Sequence, residues 1–265
     1  MLRRRFLASL LALPVLPRVA GAAPRRELSI GIYPGTGKAD IPIEDFRSLA
    51  KPFARALGDS IGANGTLMLF RSIRNTNRAI ENGRMDVFFV PPAVASIALD
   101  HDYSPVARVH DEATGMLVRL KGAPIRAVAL TEKASWLDVM ARYVLHNTKE
   151  APEQIFNLAT QEEVRLAMER GFAQAGSLRE KVAGEMIASG KYEVWHPLPR
   201  TPDFTLIANN RLSAQERDRL GAAAAGLSAG DIQSLQKTIH SKVSGFKIDK
   251  SADYQTIKQA LELAR

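Results

Sequence analysis

Asn77-Arg-Ala-Ile-Glu-Asn-Gly83-Arg-Met-Asp86-Val-Phe-Phe-Val-Pro-Pro92-Ala93 decides how the chain is read. Ile73, Asn77 and Ile80 recur at helical spacing, and Gly83 stands where a helix ends in a left-handed cap. Val87-Phe88-Phe89-Val90 is an unbroken apolar run, the pattern of a strand covered on both faces, as in a parallel sheet. Pro91 and Pro92 stop it. Helix, glycine, aspartate, buried strand and abrupt loop together place Pro92 and Ala93 beyond a strand's carboxyl end. In open α/β sheets that edge is where ligands bind.

Upstream of this unit, Leu28-Ser-Ile-Gly-Ile32 predicts a first strand, with Tyr33 at the root of the loop Pro34-Gly-Thr-Gly-Lys38. That loop is not a P-loop. Ile32 replaces the first glycine of the motif, and Ala39 replaces its Ser or Thr. Glu44 and Asp45 open a helix after Pro42, with Ile43, Phe46, Ala50, Phe53 and Leu57 as its expected buried stripe and Gly58 as its end. A second strand follows over 65–70. Arg71 and Ser72 then stand at the mouth of the helix that leads to Gly83. A hydroxyl, a guanidinium and open N–H groups make that mouth a candidate anion site.

Downstream, a second αβ series is expected. Strand 125–130 leads to the turn Thr131-Glu-Lys-Ala-Ser135, where Ser135 and Asp138 form a capping pattern. Thr160 with Glu163, Ser177 with Glu180, and Ser213 with Glu216 mark further helix starts. Strand 204–208 is expected to return to the first lobe, and helices over 231–242 and 253–264 close the chain. The order helix, Gly171, short strand echoes the first half.

The first 22 residues are read as a secretory leader: Arg3-Arg-Arg-Phe-Leu7, an apolar run to Leu16, and Ala20-Gly-Ala22 as the cleavage site. Arg-Arg-x-Phe-Leu fits both an arginine-rich general signal and the twin-arginine type. The formal charge of the 265 residues is +8, and the four arginines of 1–22 account for half of it. The remaining basic residues are scattered, so no nucleic-acid partner is expected. Zero cysteines exclude disulfides, thiol catalysis and a lipidated cysteine. The expectation is a free soluble protein in the periplasm.

No nucleophile–base set and no metal spacing stands out, so no cofactor, no metal and no catalysis are expected. Asp100-His101-Asp102 and His110-Asp111-Glu112 lack the spacing and third cluster of a metal site.

Leu28 to Tyr33, Ala79 to Pro92, Pro105 to Arg108, Ala127 to Thr131, Val164 to Gly176, Pro199 to Leu212, Ser244-Gly-Phe246 and Asp253-Tyr254 together resemble the exported solute-binding proteins of the phosphate/phosphite/phosphonate type. The resemblance covers roughly Leu28 to Leu263. It implies an α/β, two-lobed type 2 periplasmic-binding-protein-like fold with a central ligand cleft. Residues 27–120 and 205–265 would form the first lobe and 121–204 the second. It implies capture of a small anionic ligand, a phosphonate- or phosphate-like oxyanion, for an ABC permease in the inner membrane. A membrane sensor or respiratory complex is the alternative partner, and an exported enzyme on the same fold the third reading. By position, Tyr33, Pro92 and Ala93 would line the first lobe, and Thr131, Ser135 and Thr160 the second. The chain departs from the family in three places. Thr131-Glu-Lys-Ala-Ser135 replaces a run of Ser and Thr, and Glu132 would disfavour an anion. A histidine is missing near Ala159-Thr160-Gln161, and Gln174 stands in place of Asp.

Overall fold

Apolar runs and glycine-ended helices alternate along the chain. In the computed structural model, which describes residues 25–36, 41–239, 241–250 and 253–264, they assemble into two sheets. The first half runs β1 (Glu27–Ile32), α1 (Ile43–Ser60), β2 (Asn64–Leu69), α2 (Ile73–Glu81), β3 (Val87–Val90), α3 (Pro92–Ala98), β4 (Tyr103–Val109) and β5 (Glu112–Ala113). Then come β6 (Gly115–Leu120), β7 (Ala127–Leu130), α4 (Trp136–Asn147), β8 (Gln154–Asn157), α5 (Gln161–Glu169), β9 (Ala175–Arg179), α6 (Glu180–Ala188), β10 (Tyr192–Pro197) and β11 (Thr201–Pro202). The chain closes with β12 (Thr205–Asn209), α7 (Ala214–Ala225), α8 (Ala229–Gln236), β13 (Phe246–Lys247) and α9 (Gln255–Leu263).

One sheet has the order β13-β4-β12-β3-β1-β2 and the other β10-β6-β9-β7-β8. In the first, β1 lies parallel to β2 and β3, and β12 returns antiparallel between β3 and β4, as expected for strand 204–208. In the second, β7 is parallel to β8 and β9, and β6 runs antiparallel to β9 and β10. Each sheet with its helices makes one lobe.

The apolar run at β3 is buried on both sides, and pleating sends its two phenylalanines to opposite faces. Phe89 meets Phe53, Phe204 and Phe246, while Phe88 meets Phe70 and Tyr103. That double cover is why the run shows no alternation.

Gly83 adopts φ +57°, the left-handed cap expected of it. Three residues on, the Asp86 carboxylate accepts from the Ser29 N–H at 2.8 Å and the Ser29 hydroxyl at 2.7 Å, and the Asp86 N–H donates to Ser29 O. Arg211, just past β12, pairs with the other carboxylate oxygen and reaches Gly83 O. The second lobe repeats the device. Gly171 has φ +78°, and the Gln174 N–H donates to Ala127 O while its Oε1 accepts from the Ala127 N–H at 3.0 Å.

Five expectations need correction. Strand β6, placed by sequence in a first lobe ending at 120, hydrogen-bonds β9 and β10 of the second sheet. The chain therefore changes lobes at β5, which pairs with β11 on the way back. Leu117 and Val118, on opposite faces of β6, are both buried, so its pattern carried no sign of which sheet it joins. Ile43 is 40 % exposed rather than buried, and α1 runs past Gly58. Ser177 is a buried residue of β9 whose hydroxyl donates to Leu137 O, and Arg179 precedes α6 in the cap position. Helix α8 is shorter than expected and starts at a Ser228 cap.

The leader 1–22 and the loop residues Gly37, Lys38 and Ala39 lie outside the described residues. Among the described residues no helix is long and apolar enough to cross a membrane. The acidic clusters serve as ties: Asp100 pairs with Lys258, and Asp111 accepts from the N–H and hydroxyl of Ser244.

Candidate functional site

The loop from β7 into α4 is braced from behind. Ser135 caps α4, its hydroxyl accepting from the Asp138 N–H at 3.2 Å, and Thr131 Oγ1 lies 2.6 Å from that same hydroxyl. Asp138 is fully buried. Its carboxylate accepts from the Ala134 N–H at 2.9 Å, from Arg142 Nε at 2.9 Å and from Asn157 Nδ2 at 2.8 Å. Asn157 also donates to Thr131 O at 2.6 Å. These bonds hold Ala134 at φ +68°, a left-handed conformation that a residue with a Cβ seldom adopts. The result is a rigid mount that presents the start of α4, where first-turn N–H groups have no partner within the helix and the dipole is positive.

The facing wall comes from the first lobe. Tyr33, at the carboxyl end of β1, is buried, and its hydroxyl donates to Glu132 Oε2 at 3.0 Å. The other oxygen of Glu132 accepts from the Ile73 N–H at 3.3 Å, at the start of α2. Burial first, and then the charge and hydrogen bond of Glu132, push the Tyr33 phenol far above the ordinary tyrosine range. It stays a donor at any physiological pH.

Between the walls lies a cavity lined by Tyr33, Ala93, Ser135, Trp136, Gln161 and Arg179, among others. The Arg179 guanidinium stacks 4.4 Å above the Trp136 ring and pairs with Asp203 at 3.1 and 3.3 Å. The indole N–H of Trp136 donates to Thr201 Oγ1 at 2.8 Å. Gln161 Oε1 accepts from the Arg179 N–H, and the Gln161 N–H donates to Thr36 O across the cleft. The free space is about 30 Å³, room for one or two water molecules. The lobes are closed on each other.

Of the residues singled out by sequence, Tyr33, Ala93 and Ser135 line this cavity together. Thr131 sits one hydrogen bond behind Ser135, fully buried. Pro92 is buried at the first position of α3, beside the cavity-lining Pro91 and Ala93. Thr160 caps α5 in a reciprocal box with Glu163, and its neighbour Gln161 is the one that reaches the cavity. Ser72 caps α2, and there too the neighbour, Ile73, lines the space. Arg71 does not line it; its guanidinium donates to Ile41 O. Sequence reasoning passed over Gln161, Trp136 and Arg179. Arg179 carried a usable signal, a lone charge at the carboxyl end of a buried strand.

Residues 41–254 match the family described as ABC transporter, phosphonate, periplasmic substrate-binding protein. The chain belongs to this family. Solved structures agree on the fold of this periplasmic substrate-binding protein. A binding component of an ABC phosphonate transporter from Pseudomonas aeruginosa is similar at TM-score 0.65 and 14 % identity, covering 91 % of this chain and 87 % of that one. PhnD1 from Prochlorococcus marinus, solved with methylphosphonate, gives TM-score 0.68 at 12 % identity over 89 % and 97 %. A Xanthomonas citri protein solved with ATP gives 0.70 at 12 % over 90 % and 95 %. No curated protein sequence matches the chain significantly. The type 2 periplasmic binding fold and its two lobes are thus common to this substrate-binding protein and its relatives, whose sequences have diverged almost completely.

Proposed function

We propose that the protein captures a small oxyanion of the phosphonate class in the cleft between its lobes, with the start of α4 as the principal anchor. The observation that carries this reading is the braced N-terminus of α4, capped by Ser135, opening on a cavity that Arg179 and Tyr33 also line. Helix N–H groups and hydroxyls can hold an anion without a surplus counter-charge. Asp203 balances Arg179, so the site works by oriented donors more than by net positive charge. In this reading Tyr33, Pro92 and Ala93 shape the first wall. Ser135, backed by Thr131, and the Thr160–Gln161 helix start shape the second, while Ser72 caps α2 and Arg71 ties the strand end before it to Ile41.

The ligand is bound and released unchanged. The Ser135 hydroxyl is engaged by the Asp138 N–H and Thr131, not by a base. Residues 1–22 direct export, and a permease in the inner membrane takes up the ligand. A second reading, delivery to a membrane sensor or respiratory complex, is favoured by Glu132, which fills the first lobe's donors with this chain's own carboxylate.

Thermal shift of the chain from residue 23 onward, with phosphate, phosphite, methylphosphonate and alkylsulfonates, tests the ligand class. A ligand of micromolar Kd at ~100-fold excess adds about 2.7 kcal/mol of stability. If no oxyanion raises the Tm, the ligand assignment is wrong.

A further inference from the structure

Glu132 belongs to the second lobe, on the loop that Asp138 and Asn157 brace, yet both hydrogen bonds of its carboxylate go to the first lobe. One donor is the Tyr33 hydroxyl and the other is the Ile73 N–H, at the positive end of the nine-residue helix α2. Two oxygens on one centre, held by a phenol and a helix N–H, are the contacts that two oxygens of a phosphonate would make there. We propose that Glu132 is a tethered anion: it latches the two walls of the cleft together and competes with an incoming oxyanion for the first lobe's donors. The competition rests on the oxyanion reading given above; the latch does not.

The placement distinguishes this contact from an ordinary surface bridge. Tyr33 is buried, so its hydroxyl needs a partner whenever the cleft is closed. Glu132 supplies that partner from a mount whose backbone is already fixed, so little freedom is lost when the contact forms. Among the described residues, the Gln161 N–H to Thr36 O bond is another direct tie between the facing loops, and it carries no charge. Ligand capture then becomes an exchange, in which one carboxylate leaves Tyr33 and Ile73 as the ligand's oxygens arrive. Such a site discriminates by charge, since a weakly charged ligand cannot displace a carboxylate held by two donors. Glu132 is in this sense a determinant of specificity.

The chain has no cysteine, so a pair of spin labels can be placed cleanly at Lys51→Cys in α1 and Glu185→Cys in α6, both exposed. Electron–electron distances in ligand-free protein should show one short population with Glu132 intact. Glu132→Ala should add a longer one, and Tyr33→Phe should shift the distribution the same way. Identical distributions in all three would overturn the latch. Calorimetric titration with methylphosphonate and with inorganic phosphate reads the competition. Glu132→Gln keeps the shape and removes the charge, and should bind about tenfold tighter, the equivalent of about 1.4 kcal/mol. Weaker binding by Glu132→Gln would mean that Glu132 contacts the ligand directly, and would overturn the competition. If Glu132→Ala lengthens the distance but no form of the protein binds either anion, the latch stands and the oxyanion reading is the part that fails.

Discussion

Asp86 and Gln174 hold the same place in the two lobes. Each stands three residues after a left-handed glycine, and each returns its side chain to the main-chain N–H of a neighbouring strand, at Ser29 and Ala127. Each also donates its own N–H to the carbonyl of that same residue. These are the strand ends remote from the cleft. The Gly-x-x-Asp signature is therefore a staple between a crossover and the neighbouring strand, and it leaves the opposite ends of the strands free for the site.

The staple in the first lobe is ionic. Burial pushes the Asp86 carboxyl up, but hydrogen bonds from the Ser29 N–H and hydroxyl and the Arg211 guanidinium outweigh it and hold the carboxyl below its ordinary value of 3.8. A depressed acid stabilises the fold above its unfolded value, and that contribution is lost as pH falls through the folded one. Asp86→Asn should lower stability by about 2 kcal/mol near neutrality and flatten the loss on acidification. Urea midpoints at neutral pH and at about pH 3 would check both effects.

The staple in the second lobe is neutral. Gln174→Ala leaves the buried Ala127 N–H without its acceptor and should cost about 1–2 kcal/mol with no added pH dependence. Hydrogen exchange at the Ala127 amide should rise while the first lobe is unaffected.

Ser135 and Thr131 can be separated. Ser135→Ala removes the cap of α4 and should cost about 1 kcal/mol of stability, whereas Thr131→Ala leaves the cap bond in place. Both changes should weaken oxyanion binding, and the double variant should abolish it. Titration calorimetry alongside melting curves distinguishes the two effects. Unchanged affinity in the double variant would place the anion elsewhere.

Arg179 and Asp203 form a nearly buried pair, with the carboxylate only 4 % exposed. Arg179→Ala strands that charge and should cost about 3–5 kcal/mol. Arg179→Lys should recover only part of this, because an ammonium can neither stack on Trp136 nor bond in a planar fork. Removing Asp203 as well should restore much of the loss. A double-mutant cycle read by urea unfolding would measure the coupling.

The elements were legible because their signals are local. Left-handed glycines, the Ser135, Thr160 and Ser213 caps and the apolar run of β3 each depend on residues a few places apart. The candidate site was legible at its corners, where Tyr33, Ala93 and Ser135 stand at strand ends and a helix start. The rest depended on how the lobes meet. That β6 joins the second sheet, that Arg179 reaches Trp136 and Asp203, and that Glu132 finds Tyr33, 99 residues away in sequence, have no local signature. The sequence by itself determined two αβ units with open strand ends. Only the tertiary structure decided that the Glu132 carboxylate bridges to Tyr33 and Ile73, because that requires two helix starts from different lobes to face each other across the cleft.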